Sequence, residues 1–211
     1  MFLIKSFTFN PVQENTYILQ NESKDCIIID PGCYFDQEKE EIKNYIRDNG
    51  LHPVLLLNTH CHLDHVFGNK FISETYGLIL HIHPDEKKTL EMAPVSGLMF
   101  ELSFDNYTGE ISWLKENEVI RLGNDELKII LVPGHSPGSI CFYCEKQKFM
   151  IGGDVLFYHS IGRTDLPGGD PEALPRNIRE KLFLLPDDIK VYPGHGPSTT
   201  IGEEKQSNPF L

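Results

Sequence analysis

Short apolar runs rich in β-branched and aromatic residues alternate along the chain with turn formers and with stretches of helical period. FLIKSFTF, NTYILQ and CIIID near the start read as strands, and PGCYFD after them as a turn. DQEKEEIKNYIRDNG changes period: Ile42, Tyr45 and Ile46 share one helical face, Asp36 is placed to cap the start and Gly50 to stop the end. PVLLLN is short and all apolar, the pattern of a strand buried on both faces. It runs straight into the polar stretch NTHCHLDHVFGN. A helix is expected from His65 to Tyr76, then the strand LILHIH, then a further helix after Pro84.

Residues 93–109, APVSGLMFELSFDNYTG, have little period and predict a loop or lid carrying the apolar Leu98, Met99 and Phe100. EISWLKENEVIRL, ELKIILVPG, SICFYCE and KFMIGGDVLF follow as strands with tight turns. PEALPRNIREKLFLL is a helix and IKVYPGHG a last strand. Strands ending in polar loops recur through both halves, which predicts an α/β layered sandwich, two sheets packed together with helices outside. With 211 residues and no linker or repeat, the chain reads as a single domain over 1–211.

Composition narrows the function classes. At 40% hydrophobic residues the chain fills a core without disulfide staples, and its odd number of scattered cysteines, five, reads as free thiols in a reducing cytoplasm. The net charge of −12 argues against nucleic acid or an anionic membrane as partner. No apolar stretch approaches the roughly 20 residues of a membrane span, and MFLIKSFTFNP has no basic region ahead of a long apolar run, so no signal peptide is expected. A monomer or small homo-oligomer acting on a small molecule is the expectation.

The chemistry gathers at strand ends. His60, His62, Asp64 and His65 fall within six residues after PVLLLN. His60 and His62 are two apart, so on extended backbone they point to one side and can share a metal, while Cys61 turns away. Asp64 and His65 stand where the chain turns into a helix and face differently, which splits the cluster into two subsets. His135, Asp154 and His195 each sit just past a later apolar strand. Neutral imidazole and carboxylate donors suit zinc, iron or manganese.

HCHLDH resembles the HxHxDH motif of the metallo-β-lactamase superfamily, and His135, Asp154 and His195 follow in that superfamily's order. Within it, PGHSPGS, IGGDVLF, SIGRTDLPGGD and YPGHGPSTTIGEE are most similar to glyoxalase II-like hydrolases. The resemblance implies a four-layer αββα sandwich and two divalent metal ions, zinc first, with iron or manganese as alternatives. His60, His62 and His135 would hold one ion, Asp64, His65 and His195 the other, and Asp154 would bridge both together with a hydroxide. Asp64 and Asp154 would then be catalytic as well as ligating. The implied reaction is hydrolysis of a glutathione-like or other small thioester. Arg163 falls where such enzymes place a base that meets a glutathione carboxylate.

Two departures bear on the substrate. His195 is followed by Gly196 and Pro197 where typical glyoxalase II enzymes have Glu and a substrate-contacting Tyr, and the chain ends at Leu211 before their C-terminal helical domain. The rival reading is a mononuclear non-haem iron persulfide dioxygenase of the same superfamily, using His60, His135 and Asp154 as a facial triad. His62 favours hydrolysis, because redox members of the superfamily, the flavodiiron proteins, typically carry Glu there. A nuclease of the same superfamily and a non-catalytic metal binder are further alternatives; the acidic charge counts against the nuclease and the full donor set against the binder.

The remaining polar residues are read as structural. His81 and His83 form a second HxH with no third donor to assign. His52 is an ordinary polar residue, and His159 is one that could touch substrate. Cys141 and Cys144 lie on one strand, where residues three apart face opposite sides. Arg163 and Asp165 could simply pair, and Gly68 would let the helix after the motif pack closely.

Overall fold

The computed structural model describes all 211 residues, Met1–Leu211. Strands β1 (Leu3–Phe9), β2 (Glu14–Gln20), β3 (Asp25–Ile29), β4 (His52–Leu57), β5 (Leu80–Ile82) and β6 (Ile111–Trp113) form one sheet in that order. Its first three strands are antiparallel and the rest parallel. Helices α1 (Asp36–Asp48), α2 (Leu63–Val66), α3 (Asn69–Tyr76) and α4 (Lys87–Met99) fill its connections. The second sheet begins with β7 (Val119–Leu122), β8 (Asp125–Leu131), β9 (Ile140–Cys144) and β10 (Phe149–Gly153). It is completed by β13 (Lys190–Pro193) and β14 (Thr199–Thr200), in spatial order β14-β13-β10-β9-β8-β7, and a small hairpin, β11 (Leu156–Phe157) and β12 (Ser160–Ile161), follows β10. Helices α5 (Ala173–Asn177) and α6 (Ile201–Ser207) belong to this half.

Three apolar cores separate four layers. Alternation on β3 shows how: Cys26 and Ile28 pack outward with Ile42, Ile46, Ile72 and Leu90 of the helices, while Ile27 and Ile29 pack inward against Ile129, Phe142 and Ile151 of the second sheet. On β9, Cys141 joins Met150, Leu174, Ile178 and Ile201 in the third core, and Cys144 joins the inter-sheet core. The two thiols therefore face opposite sides, and all five cysteines are free and buried. The arrangement is the αββα sandwich. No helix is long and apolar enough to cross a membrane.

Several elements depart from the expected pattern, three of them where a side chain or a distant carbonyl satisfies the backbone. Asp36 is the first residue of α1 rather than its cap. The Glu38 carboxylate closes that end, accepting from the backbone N–H groups of Tyr34 and Phe35 at 2.8 and 3.0 Å and of Asn10 at 2.7 Å. The helix expected over 65–76 starts at Leu63 and breaks at Gly68. The Gly68 N–H donates to Pro31 O at 2.7 Å, and the Asp64 carbonyl that would have received it accepts from Asn10 Nδ2 at 3.1 Å. A Cβ at 68 would lie 2.4 Å from Cys33 Sγ, so only glycine permits this approach.

The expected loop over 93–109 is helical to Met99, with Pro94 inside α4. Proline has no N–H for the Leu90 carbonyl, and Asn106 Nδ2 donates to that carbonyl instead at 2.7 Å. Strand β4 is not buried on both faces throughout. Only Leu56 and Leu57 are fully enclosed, and Val54, on the same face as Leu56, is exposed. PEALPRNIREKLFLL forms the five-residue α5 followed by a π-helical turn, Ile178–Leu182, and α6 is an element the apolar pattern had not shown.

Candidate metal centre

The site lies where strand ends of both sheets meet. Asp30, one residue past β3, is buried and holds the start of the histidine loop. Its Oδ1 accepts from Thr59 N at 2.7 Å and from Asn58 Nδ2 at 3.1 Å, and its Oδ2 accepts from Thr59 Oγ1 at 2.6 Å. Asn58 Nδ2 also donates to His65 O, and Asn69 Nδ2 donates to Asn58 Oδ1 at 2.7 Å. Across the sandwich, Ile140 N donates to Thr59 O at 2.9 Å, which ties the loop to β9. Buried polar groups bonded in this way leave the start of the loop little freedom.

All seven expected donors come together. His62 Nδ1 lies 2.8 Å from His135 Nε2, which lies 3.1 Å from His60 Nε2. His195 Nε2 stands 3.0 Å from Asp64 Oδ2, with His65 Nε2 3.6 Å from the same oxygen. Asp154 sits between the groups: its Oδ1 is 3.4 Å from His65 Nε2, and its Oδ2 is 3.6 Å from both His135 Nε2 and His195 Nε2. Two triads, His60/His62/His135 and Asp64/His65/His195, each have their donor atoms within 4.8 Å of one another, and a third group at the same spacing, Asp30/His60/His65, links them. Gly194 makes room for this, since a Cβ there would lie 2.1 Å from Asp154 Oδ1.

Tautomers follow from the outer partners. His135 Nδ1 faces the Arg163 carbonyl at 2.7 Å, which can only accept, so that nitrogen carries the proton. Thr59 Oγ1 gives its proton to Asp30 and so accepts from His60 Nδ1 at 3.1 Å. The Nε2 atoms of both rings therefore present lone pairs to each other, and a proton on His62 Nδ1 would satisfy only one of them. His65 Nε2 and Asp154 Oδ1 are buried with no hydrogen-bond partner. The facing Nε2 lone pairs of His60 and His135 repel, and a divalent cation between them would convert that repulsion to coordination. The residues fit such an ion, and neutral imidazoles with carboxylates are the donors zinc, iron or manganese accept.

The triads differ electrostatically. Burial pushes His60 and His135 below the usual imidazole range and takes His62 to about 3, with neighbouring imidazoles adding to the shift. Burial acts the same way on His65 and His195, but there it is outweighed, for His65 by the charges of Asp64 and Asp154 and for His195 by its hydrogen bond to Asp64, so both rise. Asp64 and Asp154 are held low, because His65 overcomes the burial that would raise them.

Arg163 reaches the site through its backbone. Its guanidinium turns outward into a bidentate pair with Asp165, Nε and Nη2 each 2.7 Å from a carboxylate oxygen. His81 Nδ1 faces the carbonyls of Ile79 and Leu56, and His83 Nδ1 accepts from Asp85 N at the start of a 3-10 turn, Pro84–Glu86, so neither joins the centre. Cys61 points into the outer core. His159 turns to Glu203 at 2.8 Å, while the ring of its neighbour Phe157 meets His195 edge-on. Sequence reasoning missed Asp30, Thr59 and Glu86, which support the donors without belonging to the motif. Asp30 carried a usable signal, since it too ends an apolar strand.

The sequence profile of the metallo-beta-lactamase superfamily matches residues 9–195. The hydroxyacylglutathione hydrolase GloC of Haemophilus influenzae is 39% identical over 201 residues, 94% of this chain and 93% of that protein. Among solved structures, the BLEG-1 B3 metallo-beta-lactamase superposes with a TM-score of 0.91 at 35% identity, covering 99% of each chain. TTHA1623 in a di-iron-bound form superposes at 0.88 and 35% identity, covering 98% of this chain and all of that one. The sandwich, the strand-end donors and this match over nearly the whole length together show that the chain belongs to the metallo-β-lactamase superfamily.

Proposed function

We propose that this chain is a dinuclear metallohydrolase of glyoxalase II type that cleaves a small thioester. The observation that carries the reading is the pair of donor triads with Asp154 between them. In this reading His60, His62 and His135 hold one divalent ion, Asp64, His65 and His195 hold a second, and Asp154 faces both. Two such ions, when bound, acidify a water towards neutral pH and polarise a carbonyl oxygen. The chain's own part is to orient and shield. Thr59 and the Arg163 carbonyl set the tautomers of His60 and His135, and Phe157 lends an apolar wall beside His195. A thiolate leaves without needing a proton from the enzyme, which suits a centre built from ligands alone. In this reading Arg163, exposed and paired with Asp165, exchanges that partner for a substrate carboxylate, as the similarity to a hydroxyacylglutathione hydrolase suggests.

The test is elemental analysis of the purified protein alongside thioester, persulfide and β-lactam assays. The expected result is two metals per chain, zinc foremost, with thioester cleavage and no oxygen uptake. One iron per chain with thiol-dependent oxygen consumption would replace the reading by a persulfide dioxygenase. Turnover of β-lactams without thioester cleavage would move the substrate class.

A further inference from the structure

Glu86 is the one fully buried carboxylate that touches both loops of the three-histidine pocket without belonging to it. It ends the 3-10 turn Pro84–Glu86 and opens α4, with no solvent exposure. Its Oε2 accepts from the Cys61 N–H at 2.7 Å, and Cys61 lies between His60 and His62. Its Oε1 accepts from the Gly138 N–H at 2.7 Å and from Ser136 Oγ, and Ser136 follows His135. The approach is close enough that a Cβ on Gly138 would lie 2.9 Å from Glu86 Cγ.

From this we infer that Glu86 is a positioning residue: its carboxylate clamps the His60–His62 loop to the His135 loop and so sets the three-histidine pocket for its ion. The inference rests on the metallohydrolase reading above. Three donors on two separate loops converge on one charged acceptor, and charge-assisted bonds of this kind are about twice as strong as neutral ones. The two loops come from different sheets, and without the clamp the neutral bond from Ile140 N to Thr59 O would remain between them. None of these bonds reaches Asp64, His65 or His195, so the clamp acts on one pocket. Partners that orient metal ligands from outside typically set affinity by about 10–100-fold.

Cobalt loading tests this, because Co(II) reports each pocket by its ligand-field absorption. Wild type, Glu86→Gln and Ser136→Ala are stripped of metal and titrated with Co(II) alone, with His62→Ala and His195→Ala as single-pocket references. Glu86→Gln keeps the side-chain volume but turns an amide towards donors. It is expected to weaken the three-histidine pocket about 10–100-fold and leave the spectrum and affinity of the other pocket in place. Ser136→Ala removes one of the three bonds and should cause a smaller loss at the same pocket. Equal weakening of both pockets, or unchanged loading in a folded Glu86→Gln, overturns the role. Should Glu86→Gln fail to fold by circular dichroism, Ser136→Ala decides, and an unchanged three-histidine pocket overturns it. A wild-type chain that binds no Co(II) overturns the metallohydrolase reading instead.

Discussion

The two halves of the candidate centre are built from the same short motif yet prepared in opposite ways. The three-histidine half is made of rings that burial keeps neutral, with a tautomer imposed from outside on His60 and His135. The other half includes a carboxylate, and its imidazoles are pulled towards the charged form, His65 by Asp64 and Asp154 and His195 by its bond to Asp64. One pocket thus sheds its protons at lower pH, and the other holds them to higher pH. The difference comes from where carboxylates fall among the donors, since burial alone acts on all five rings in the same direction.

Asp154 joins the halves, so its loss should break the comparison most. Asp154→Asn is expected to remove on the order of 4 kcal/mol of transition-state stabilisation, about a thousandfold in kcat/KM, and to lower metal content in both pockets. Unchanged turnover and metal content would show that Asp154 belongs to neither. Next in size, His62→Ala and His195→Ala should each cost one ion of two, measurable by elemental analysis. A protein that loses both ions on either change would mean the pockets fill as one unit.

Acidity sharpens the contrast. In the three-histidine pocket, protons do not compete on the His62 ring until pH approaches about 3. His65 and His195 lie above the usual imidazole value, so a metal there competes with protons at higher pH than in the three-histidine pocket. As pH falls, affinity in that pocket should drop about tenfold per unit for each displaced proton, while the three-histidine pocket stays flat well below it. Metal retention followed from pH 8 down to 5 should show the Asp64 pocket emptying first, and simultaneous loss would refute the electrostatic distinction. The smallest effect belongs to a site remote from both. Asn106→Ala leaves the Leu90 carbonyl beside Pro94 without its donor and should cost about 1–2 kcal/mol of stability in thermal unfolding, with metal loading unaltered.

Most of the layered architecture was legible because strands and helices write their periods into the chain. CIIID reads as a strand and is one, its alternate residues feeding two cores. The boundaries were less legible wherever a distant group satisfied the backbone. Glu38 took over the end of α1 from Asp36, the Pro31 carbonyl broke the helix at Gly68, and Asn106 let α4 run through Pro94. Local propensity does not anticipate the bonds to Pro31 and Asn106, whose partners lie well outside the segments they end or extend.

The sequence by itself determined the seven donors, the strand ends that carry them and the split of the HCHLDH stretch into two subsets, because spacing along extended backbone and the turn into a helix are local properties. The pairing of each later donor with its subset was implied by the resemblance, and only the tertiary structure decided which nitrogen of each ring faces inward and which rings are neutral. Those depend on Asp30, Thr59, Glu86 and the Arg163 carbonyl, groups brought to the centre from both sheets. Their effect on a charge or a proton depends on distance through a buried medium, which spacing along the chain does not record.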